Sequence, residues 1–293
     1  MQSSLLAVVL FTVFPRLSPF WQVPKATSGQ TGLSDEISPG DIANLALSSE
    51  LAFRVDFKGE KIPHYSQLYW RAMTLENYNG TKWTRAKSNT SDMTNLSEKS
   101  FSPETSGKGI AYGIIVEPSF QQWLFGLRVI NSKDPKLRLL NDYTIQSRSI
   151  LGQVGHYELI SYLQAPLDLT LSQTSQQRNL TISKGSNPKL EALGQMLQEK
   201  FSDPVERSNE ILSIFTKQSY FYTLKPPLLI NNSLDQFFFD TKAGFCVYYA
   251  SAYTYLMRAA GVPARIVTGY LGGEYNGTSA LQETITEANP IED

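Results

Sequence analysis

The period of the hydrophobic pattern changes at Asn187, and this change constrains the fold more than any other feature of the sequence. Before it, short runs of alternating apolar and polar residues follow one another, separated by turn residues. The clearest run has apolar Leu51, Phe53, Val55 and Phe57. Such alternation is typical of half-buried β-strands. We therefore predict a β-rich domain over residues 49–183, either a sandwich or a partly open barrel.

After Asn187 the apolar residues recur at helical spacing. Asn187-Pro188 and Asp203-Pro204 each match a helix start, with a capping residue followed by proline. One apolar stripe follows the first of them: Leu190, Leu193, Leu197 and Phe201. We predict a second domain, of helices and a sheet, over residues 187–293. The whole chain is then α+β, and its 293 residues suit two domains of the usual size of about 100–200 residues.

Charge and composition exclude several classes of function. Lys plus Arg total 26 and Asp plus Glu total 27, so a net charge of −1 gives no attraction to nucleic acid or to an anionic membrane surface. The 2 histidines nearly exclude a histidine-built metal site, and no Asp-rich calcium loop occurs. The 1 cysteine excludes an internal disulfide. We predict no metal, no cofactor and no nucleic-acid partner.

The first 21 residues carry a membrane pattern. Leu5 to Phe14 is an apolar run, about half of the roughly 20 residues that cross a bilayer. A signal peptide would have positive charge before the run and a small-residue cleavage site after it, and the sequence shows neither. Arg16 and Trp21 suit the headgroup layer. We interpret residues 1–21 as the remnant of a membrane span and its exit, with a short core or tail segment as the alternative, and residues 22–48 as a surface loop.

Cys246 is the candidate catalytic residue. Gly244 breaks regular structure before it, and a helical pattern runs from Cys246 to Gly261 and Pro263, which end the helix. The N–H groups at a helix N-terminus stabilise an anion, so this position is expected to lower the pKa of the thiol and to offer a donor to an acyl oxyanion. A lone cysteine is otherwise most often a small buried hydrophobic residue, and the residues alone leave both interpretations open.

The segment around Cys246 resembles the nucleophile helix of the transglutaminase-like superfamily. The similarity runs through Gly244-Phe245-Cys246, Tyr249–Ala252 and residues 256–270 (LMRAAGVPARIVTGY). Shorter segments are similar to one branch, the bacterial membrane-anchored transglutaminase-like proteins, so that the resemblance covers most of residues 12–275. These segments are Gln30–Asp35, Pro39–Ile42, Leu68–Arg71, Tyr222–Leu224 and Phe239–Thr241.

The resemblance implies an architecture and a chemistry. It implies a β-rich periplasmic region and then a papain-like α+β domain, held at the inner membrane by helices on both sides. It also implies a Cys-His-Asp triad, with Cys246 as the nucleophile and thiolate attack on a carboxamide or peptide carbonyl as the first step. The substrate would be a protein or peptide of the cell envelope.

The sequence departs from this family pattern in two ways. Val247-Tyr248 stands where the family usually has Glu-His, although neither position is that of the triad histidine. The triad His and Asp would follow Gly272–Asn276, yet the chain has no histidine after His156, and Thr278–Asp293 no longer follows the pattern. We therefore expect a C-terminally incomplete domain with little activity, because loss of one triad member removes several orders of magnitude in rate.

Two functions remain open at this point. One is cysteine acyl transfer or amide hydrolysis through a Cys246 acyl-enzyme. The other is a non-catalytic binding or scaffold module of the cell envelope, with a vestigial cysteine site. His64 and His156 are expected to be ordinary surface or strand histidines rather than substitutes for the missing base.

Overall fold

The computed structural model describes residues 36–37, 51–86, 103–227, 229, 233–275 and 282–286, and only the backbone of residues 36, 37, 275 and 282–286. The predicted membrane segment 1–21 and most of the predicted loop 22–48 lie outside the described residues. All described residues fall within one unit, Gly32–Asp293. The fold is α+β, as predicted, with strands first and helices with further strands after them.

Short strands are the main regular elements of the described chain before residue 163. They are β1 (Glu36–Ile37), β2 (Leu51–Asp56), β3 (Tyr69–Leu75), β4 (Asn77–Tyr78), β5 (Trp83–Thr84), β6 (Ile110–Val116), β7 (Gly126–Leu127), β8 (Val129–Asn131), β9 (Leu137–Leu139), β10 (Ile145–Ser147) and β11 (Gly155–Tyr162). A 3₁₀ turn, Tyr65–Gln67, precedes β3.

Helices and shorter strands follow. They are α1 (Gln173–Leu180), α2 (Pro188–Lys200), α3 (Pro204–Lys217), β12 (Phe221–Tyr222), α4 (Ser233–Asp235), a π-helical turn (Gln236–Thr241), β13 (Ala243–Gly244), α5 (Cys246–Ala259), β14 (Ile266–Leu271), β15 (Glu274–Tyr275) and β16 (Gln282–Thr286).

Two antiparallel sheets face each other across an aromatic core. The larger has the strand order β15-β16-β2-β6-β11-β8, and the smaller has the order β14-β3-β7. Phe53 of β2 meets Trp70 of β3 edge-on, with ring centroids 5.5 Å apart, and stacks on Phe125 at 4.5 Å. Tyr270 of β14 packs against Phe53 and Phe125 as well. These contacts tie strands from both ends of the described chain into one core.

Local sequence signals explain several of these elements. In β2, Phe53 and Val55 are fully buried while their neighbours are half-buried, which confirms the predicted alternation. Asn-Gly is a sequence signature of tight β-hairpins, and the Asn79-Gly80 turn indeed joins β4 to β5. The Asn79 side-chain oxygen accepts hydrogen bonds from the Thr81 and Lys82 N–H groups, and Gly80 adopts φ +104°.

Two predicted strands are interrupted at left-handed residues. The apolar run Trp123–Val129, bounded by turn residues, predicts one strand, but the structure has β7 and β8 there, divided at Arg128 with φ +45°. Residues Tyr143–Ser147 likewise predict a strand, but β10 starts only at Ile145, because Tyr143 has φ +62°. A residue with positive φ cannot continue an extended strand. No local sequence signal marks Arg128 or Tyr143 as such a residue.

The predicted helices are present, and one further helix was not predicted. Helices α2, α3 and α5 begin at the expected positions, with Gly261 at φ +77° ending α5. Helix α1 lies within the predicted β-rich region. Its sequence has no apolar stripe, and its one buried residue is the polar Asn179.

Strands that follow Asn187 pair with strands that precede it. Strand β14 pairs with β3, with Leu271 opposite Tyr69, and β16 pairs with β2. The Trp70 indole N–H donates to the Gly272 carbonyl oxygen at 3.0 Å in the buried core. The β-rich part and the C-terminal part therefore share both large sheets. The domain bounds 49–183 and 187–293 stay predictions.

Candidate active site

The chain reaches Cys246 through a segment held by reciprocal caps. The Asp235 carboxylate accepts hydrogen bonds from the Lys189 and Leu190 N–H groups, at 2.8 and 2.9 Å, at the start of α2. The Asn187 side-chain oxygen accepts from the Leu234 and Asp235 N–H groups at 3.0 and 3.1 Å. The sequence predicts Asn187 as the cap of its own helix, but its side chain caps α4 instead. Because α4 leads directly into the π-helical turn and β13, this exchange fixes the approach to the cysteine.

Cys246 is the first residue of α5, as predicted. Phe245 is the capping residue, in an extended conformation with φ −120° and ψ −177°. The helix is buried over most of its length and packs on α2, where Gly194 permits the approach: an added Cβ would lie 2.5 Å from the Cβ of Ala259. The thiol of Cys246 is nevertheless exposed and free. It is therefore not a core hydrophobic residue.

The two positions that depart from the family pattern point into the core. Val247 and Tyr248 are both 6% exposed. The Tyr248 ring packs against Phe237 and Phe245, with centroid distances of 5.4 and 5.1 Å. These side chains therefore stabilise the base of α5 and do not line the exposed thiol.

Two tyrosines that the sequence pattern does not single out interact with the thiol, Tyr222 by hydrogen bonding and Tyr69 electrostatically. Tyr222 of β12 pairs in parallel register with Gly244 of β13, and its hydroxyl is within hydrogen-bonding reach of both the Cys246 thiol and the Cys246 N–H. Tyr69 of β3 donates from its hydroxyl to the Val267 carbonyl oxygen at 2.8 Å, and it interacts electrostatically with Cys246. Both side chains are partly exposed, at 38% for Tyr69 and 51% for Tyr222.

The charge state of the thiol differs from the expectation. Although the residue as a whole is exposed, neighbouring atoms desolvate its sulfur, and this desolvation raises the pKa of the Cys246 thiol above its ordinary value. The N–H groups of Val247 and Cys246 and the Tyr222 hydroxyl act in the opposite direction on this pKa, but they are neutral donors and do not outweigh desolvation. The N–H groups of the helix N-terminus thus lower this pKa, as predicted, but desolvation has the larger effect, so the expected net decrease is wrong.

The neighbouring tyrosines stay protonated over a wide range of pH. Burial raises the pKa of Tyr69 to about 12, with a further increase from Cys246 and a decrease from Arg71. Burial also raises the pKa of Tyr222, and the Cys246 thiol adds to this increase. Both phenols are therefore neutral donors at neutral pH.

The two histidines are engaged away from the thiol. His64 caps the 3₁₀ turn, and its Nδ1 lies 2.9 Å from the Ser66 hydroxyl oxygen. His156 lies on β11 with its Nε2 3.2 Å from a Glu158 carboxylate oxygen. Neither is among the groups that shift the pKa of Cys246. Within the described ranges, no cluster of three or more His, Cys, Asp or Glu residues could hold a metal ion, and no helix is long and apolar enough to cross a membrane.

Comparison with known families decides the relationship. Residues 1–168 match the family described as the TgpA N-terminal domain, which is more than half of the chain. The chain belongs to this family. Residues 191–288 match the transglutaminase-like superfamily, as the motif around Cys246 predicts. This match continues past Thr278, so the expectation that everything after Thr278 leaves the family pattern is wrong as far as residue 288.

Two curated proteins are similar to this chain. The protein-glutamine gamma-glutamyltransferase of Pseudomonas aeruginosa is 39% identical over 277 residues, which are 94% of this chain and 40% of that protein. The uncharacterized protein YebA of Bacillus subtilis is 23% identical over 161 residues, which are 54% of this chain and 21% of that protein. The chain thus spans two fifths or less of the length of these curated relatives.

Solved structures of the TgpA family have the same fold. The crystal structure of the periplasmic domain of TgpA from Pseudomonas aeruginosa superimposes with a TM-score of 0.81 at 37% identity, covering 88% of this chain and 86% of that one. The same domain bound to ethylmercury gives a TM-score of 0.81 at 36% identity, covering 88% of each chain.

Proposed function

We propose that this chain carries the nucleophile of a transglutaminase-like acyl-transfer site, and that Cys246 is that nucleophile. The observation that supports this most strongly is the exposed thiol at the first position of a buried helix, within a segment that matches the superfamily. The name of the Pseudomonas relative, a protein-glutamine gamma-glutamyltransferase, supports the same reaction class.

The proposed reaction has two halves. The Cys246 sulfur attacks a carboxamide or peptide carbonyl carbon, a C–S bond forms, and the oxygen becomes an oxyanion within reach of the Cys246 N–H. The C–N bond then breaks, and the leaving ammonia or amine takes the proton that the thiol gave up. In the second half a primary amine displaces the thiol and forms a new amide, or water does so and releases an acid.

The place and the substrate of this reaction are part of the proposal. Likeness to the periplasmic domain of TgpA supports a periplasmic position, with the inner membrane as anchor of the whole protein. The acyl donor is then a protein or peptide of the cell envelope.

We further propose that this polypeptide, tested by itself, turns over slowly. The pKa of the Cys246 thiol is raised, so only a small fraction of this thiol is ionised at neutral pH. The 2 histidines of the sequence are His64 and His156, and both contact other residues. The same observations favour the second candidate, a binding or scaffold module of the envelope with a vestigial cysteine, over a fast enzyme.

Chemical rescue distinguishes the two candidates. The 293-residue chain is mixed with p-nitrophenyl acetate, and nitrophenolate release is measured with and without added imidazole as an external base. Acyl transfer predicts a burst equal to the protein concentration, faster with imidazole, and absent in Cys246→Ala, which also corrects for attack by imidazole itself. A release rate that Cys246→Ala does not change, with or without imidazole, supports the vestigial module instead.

A further inference from the structure

Two neighbouring loops at one end of the larger sheet expose large apolar side chains. One loop follows β6 and the other precedes β11, and these strands pair with Val116 opposite Gly155, so both loops leave the same end of the sheet. Phe120 of the first loop is 63% exposed, and Ile150 and Val154 of the second are 63% and 58% exposed. We call these three side chains the apolar tip. A group of apolar side chains as exposed as this is typical of an interaction surface.

Backbone hydrogen bonds hold the two loops together. The Leu151 carbonyl oxygen accepts from the Ser119 and Phe120 N–H groups, at 3.1 and 3.0 Å, and the Leu151 N–H donates to the Gln121 carbonyl oxygen at 2.8 Å. Phe120 has φ +56°, a conformation that a bulky residue rarely adopts. Such strain persists where the surrounding structure imposes it, and here it accompanies a ring that lies in solvent rather than in the core.

The apolar tip lies in uncharged sequence with basic side chains behind it. Residues 118–122 (PSFQQ) and 149–154 (SILGQV) contain no charged side chain. Lys136 and Arg148 are both exposed, and the Arg148 N–H donates to the Lys136 carbonyl oxygen at 2.8 Å. Within the described ranges, neither forms an ion pair with a carboxylate. Two basic groups therefore stand next to the tip.

The carboxylates near these loops are already engaged. Glu117, at the start of the first loop, forms an ion pair with Arg54 at 3.1 Å. Asp134 accepts a hydrogen bond from the Lys136 backbone N–H at 2.8 Å. The net charge of −1 gives the whole chain no attraction to an anionic surface, but this end of the molecule combines basic and apolar side chains. A lipid bilayer fits that combination, because apolar side chains enter the acyl region while basic ones remain at anionic headgroups.

The course of the chain also favours a bilayer over a soluble partner. In the sequence, residues 22–35 separate the predicted membrane exit from β1, which pairs with β5. The residue after β5 is Arg85, and its guanidinium lies over the Trp123 ring, 5.7 Å from the ring centroid. Trp123 follows the first loop and bridges to Gln146, which precedes the second. The segment that follows the predicted exit therefore enters the fold beside the loops that carry the tip.

We propose that Phe120, Ile150 and Val154 insert into the periplasmic leaflet of the inner membrane, with Lys136 and Arg148 at its anionic headgroups. The proposal rests on the periplasmic position and the membrane anchor proposed above, but not on acyl transfer. Three side chains bind a bilayer weakly by themselves, and an anchor in the same protein raises their effective concentration at the bilayer. The consequence is a domain that is held in one orientation on the membrane.

An environment-sensitive label at the tip tests insertion directly. The 293-residue chain carries Cys246→Ser and Phe120→Cys, the introduced thiol is labelled with nitrobenzoxadiazole, and vesicles of phosphatidylethanolamine and phosphatidylglycerol are added. We expect a blue shift and stronger emission, quenched by lipids with a doxyl group on the acyl chain. The matched control carries the label at Leu212→Cys, on α3, where the native side chain is also exposed, and it should keep its aqueous emission. The apolar residues 5–14 can also bring the chain to vesicles, so the local signal is the informative one.

Further variants separate the apolar and the basic contributions. Ile150→Ser in the labelled chain removes one inserting side chain and should lower the ratio of inserted to aqueous label roughly tenfold. Lys136→Gln should lower the same ratio roughly fivefold in vesicles with phosphatidylglycerol and leave it unchanged in phosphatidylcholine vesicles. Lys217→Gln is the matched control, because it removes the same charge from an exposed position on α3.

Several results would overturn membrane insertion. One is a tip label that keeps its aqueous emission with every vesicle, and another is an equal shift of the tip label and the Leu212→Cys label. A third is insertion that Ile150→Ser does not weaken. A tip label that shifts without vesicles as the protein concentration rises would assign the tip to contact between copies of the chain instead. All labelled chains lack the Cys246 thiol, so these results are independent of acyl transfer, which the nitrophenolate burst tests.

Discussion

Asn187 and Asp235 cap each other's helices. The Asn187 side-chain oxygen accepts the Leu234 and Asp235 N–H groups, and the Asp235 carboxylate accepts the Lys189 and Leu190 N–H groups. Both side chains are buried, at 0% and 3% exposure. Because α4 precedes the segment that enters Cys246, this pair links the stability of the domain to the position of the thiol.

Asp235→Ala is expected to lower the free energy of unfolding by about 1–3 kcal/mol. It removes a buried acceptor and leaves two N–H groups of α2 without a partner, together with the favourable charge at a helix N-terminus. Urea unfolding followed by circular dichroism measures the change. Asp240→Asn is the matched control, because Asp240 is exposed and contacts Lys189 only at 3.5 Å, and we expect its effect to stay within about 0.5 kcal/mol. Equal effects of the two variants would contradict the reciprocal caps.

Gly269→Ala is expected to disrupt the pairing of β14 with β3. Gly269 lies at a register shift opposite Arg71, and an added Cβ would overlap the Trp70 carbonyl oxygen, which is backbone and cannot rotate away. We expect a loss of about 1–3 kcal/mol or more in unfolding free energy, as for other overpacked sites. Gly152→Ala is the control, because a Cβ there meets nothing within 4 Å. If Gly269→Ala unfolded at the same urea midpoint as the wild type, the described pairing of β14 with β3 would be contradicted.

The local parts of the structure were predictable from the sequence, and the non-local parts were not. Helix α5 follows from its apolar spacing and from Gly261, and β2 follows from its alternation, since both signals lie within the element. Helix α1 has no such signal. It is held by Asn179, which donates to Glu76 at 3.1 Å and accepts from Arg258 at 3.3 Å, and those partners lie far away in the sequence.

The candidate site divides in the same way. The position of Cys246 at a helix start follows from the residues around it. The electrostatic interaction of Tyr69 with the thiol depends on the pairing of β3 with β14, which no local pattern encodes, although Tyr69 lies within a segment that resembles the family. The pKa of the thiol was predicted in the wrong direction, because a helix N-terminus is visible in the sequence and desolvation by distant packing is not.

The stability of the fold is expected to fall at alkaline pH. Burial raises the pKa of Tyr112 to about 12, from an unfolded value of about 10. A pKa that is raised in the folded state means that folding favours the protonated phenol. The contribution of Tyr112 to the free energy of unfolding is therefore complete below pH 10 and is lost as the pH rises to about 12. For Tyr112 alone the loss is about 3 kcal/mol, from two pKa units at about 1.4 kcal/mol each. Urea unfolding across this range, compared with Tyr112→Phe, measures it, and a slope that Tyr112→Phe does not reduce would contradict the assignment.

The reactivity of Cys246 is expected to increase late in an alkaline titration. Because desolvation raises its pKa, alkylation by iodoacetamide at pH 6 should be slower than that of a free cysteine peptide, with an apparent pKa above that of the peptide. Tyr222→Phe removes one group that lowers this pKa and should move the apparent pKa further upward. Labelling is unambiguous, since the sequence contains 1 cysteine. An apparent pKa below that of the peptide would show that the thiol is activated by groups not considered in this account.

The most direct test of the central claim is to locate the acyl group itself. The 293-residue chain is treated with p-nitrophenyl acetate, stopped with acid to preserve a thioester, digested, and mapped by mass spectrometry beside Cys246→Ser and Tyr249→Phe. The account predicts one acetyl group on the peptide that contains Cys246, labile to hydroxylamine at neutral pH and retained in Tyr249→Phe. In Cys246→Ser the neutral hydroxylamine should release none. Acetylation spread over lysines, with Cys246 unmodified while iodoacetamide still labels it, would contradict the assignment of Cys246 as the nucleophile.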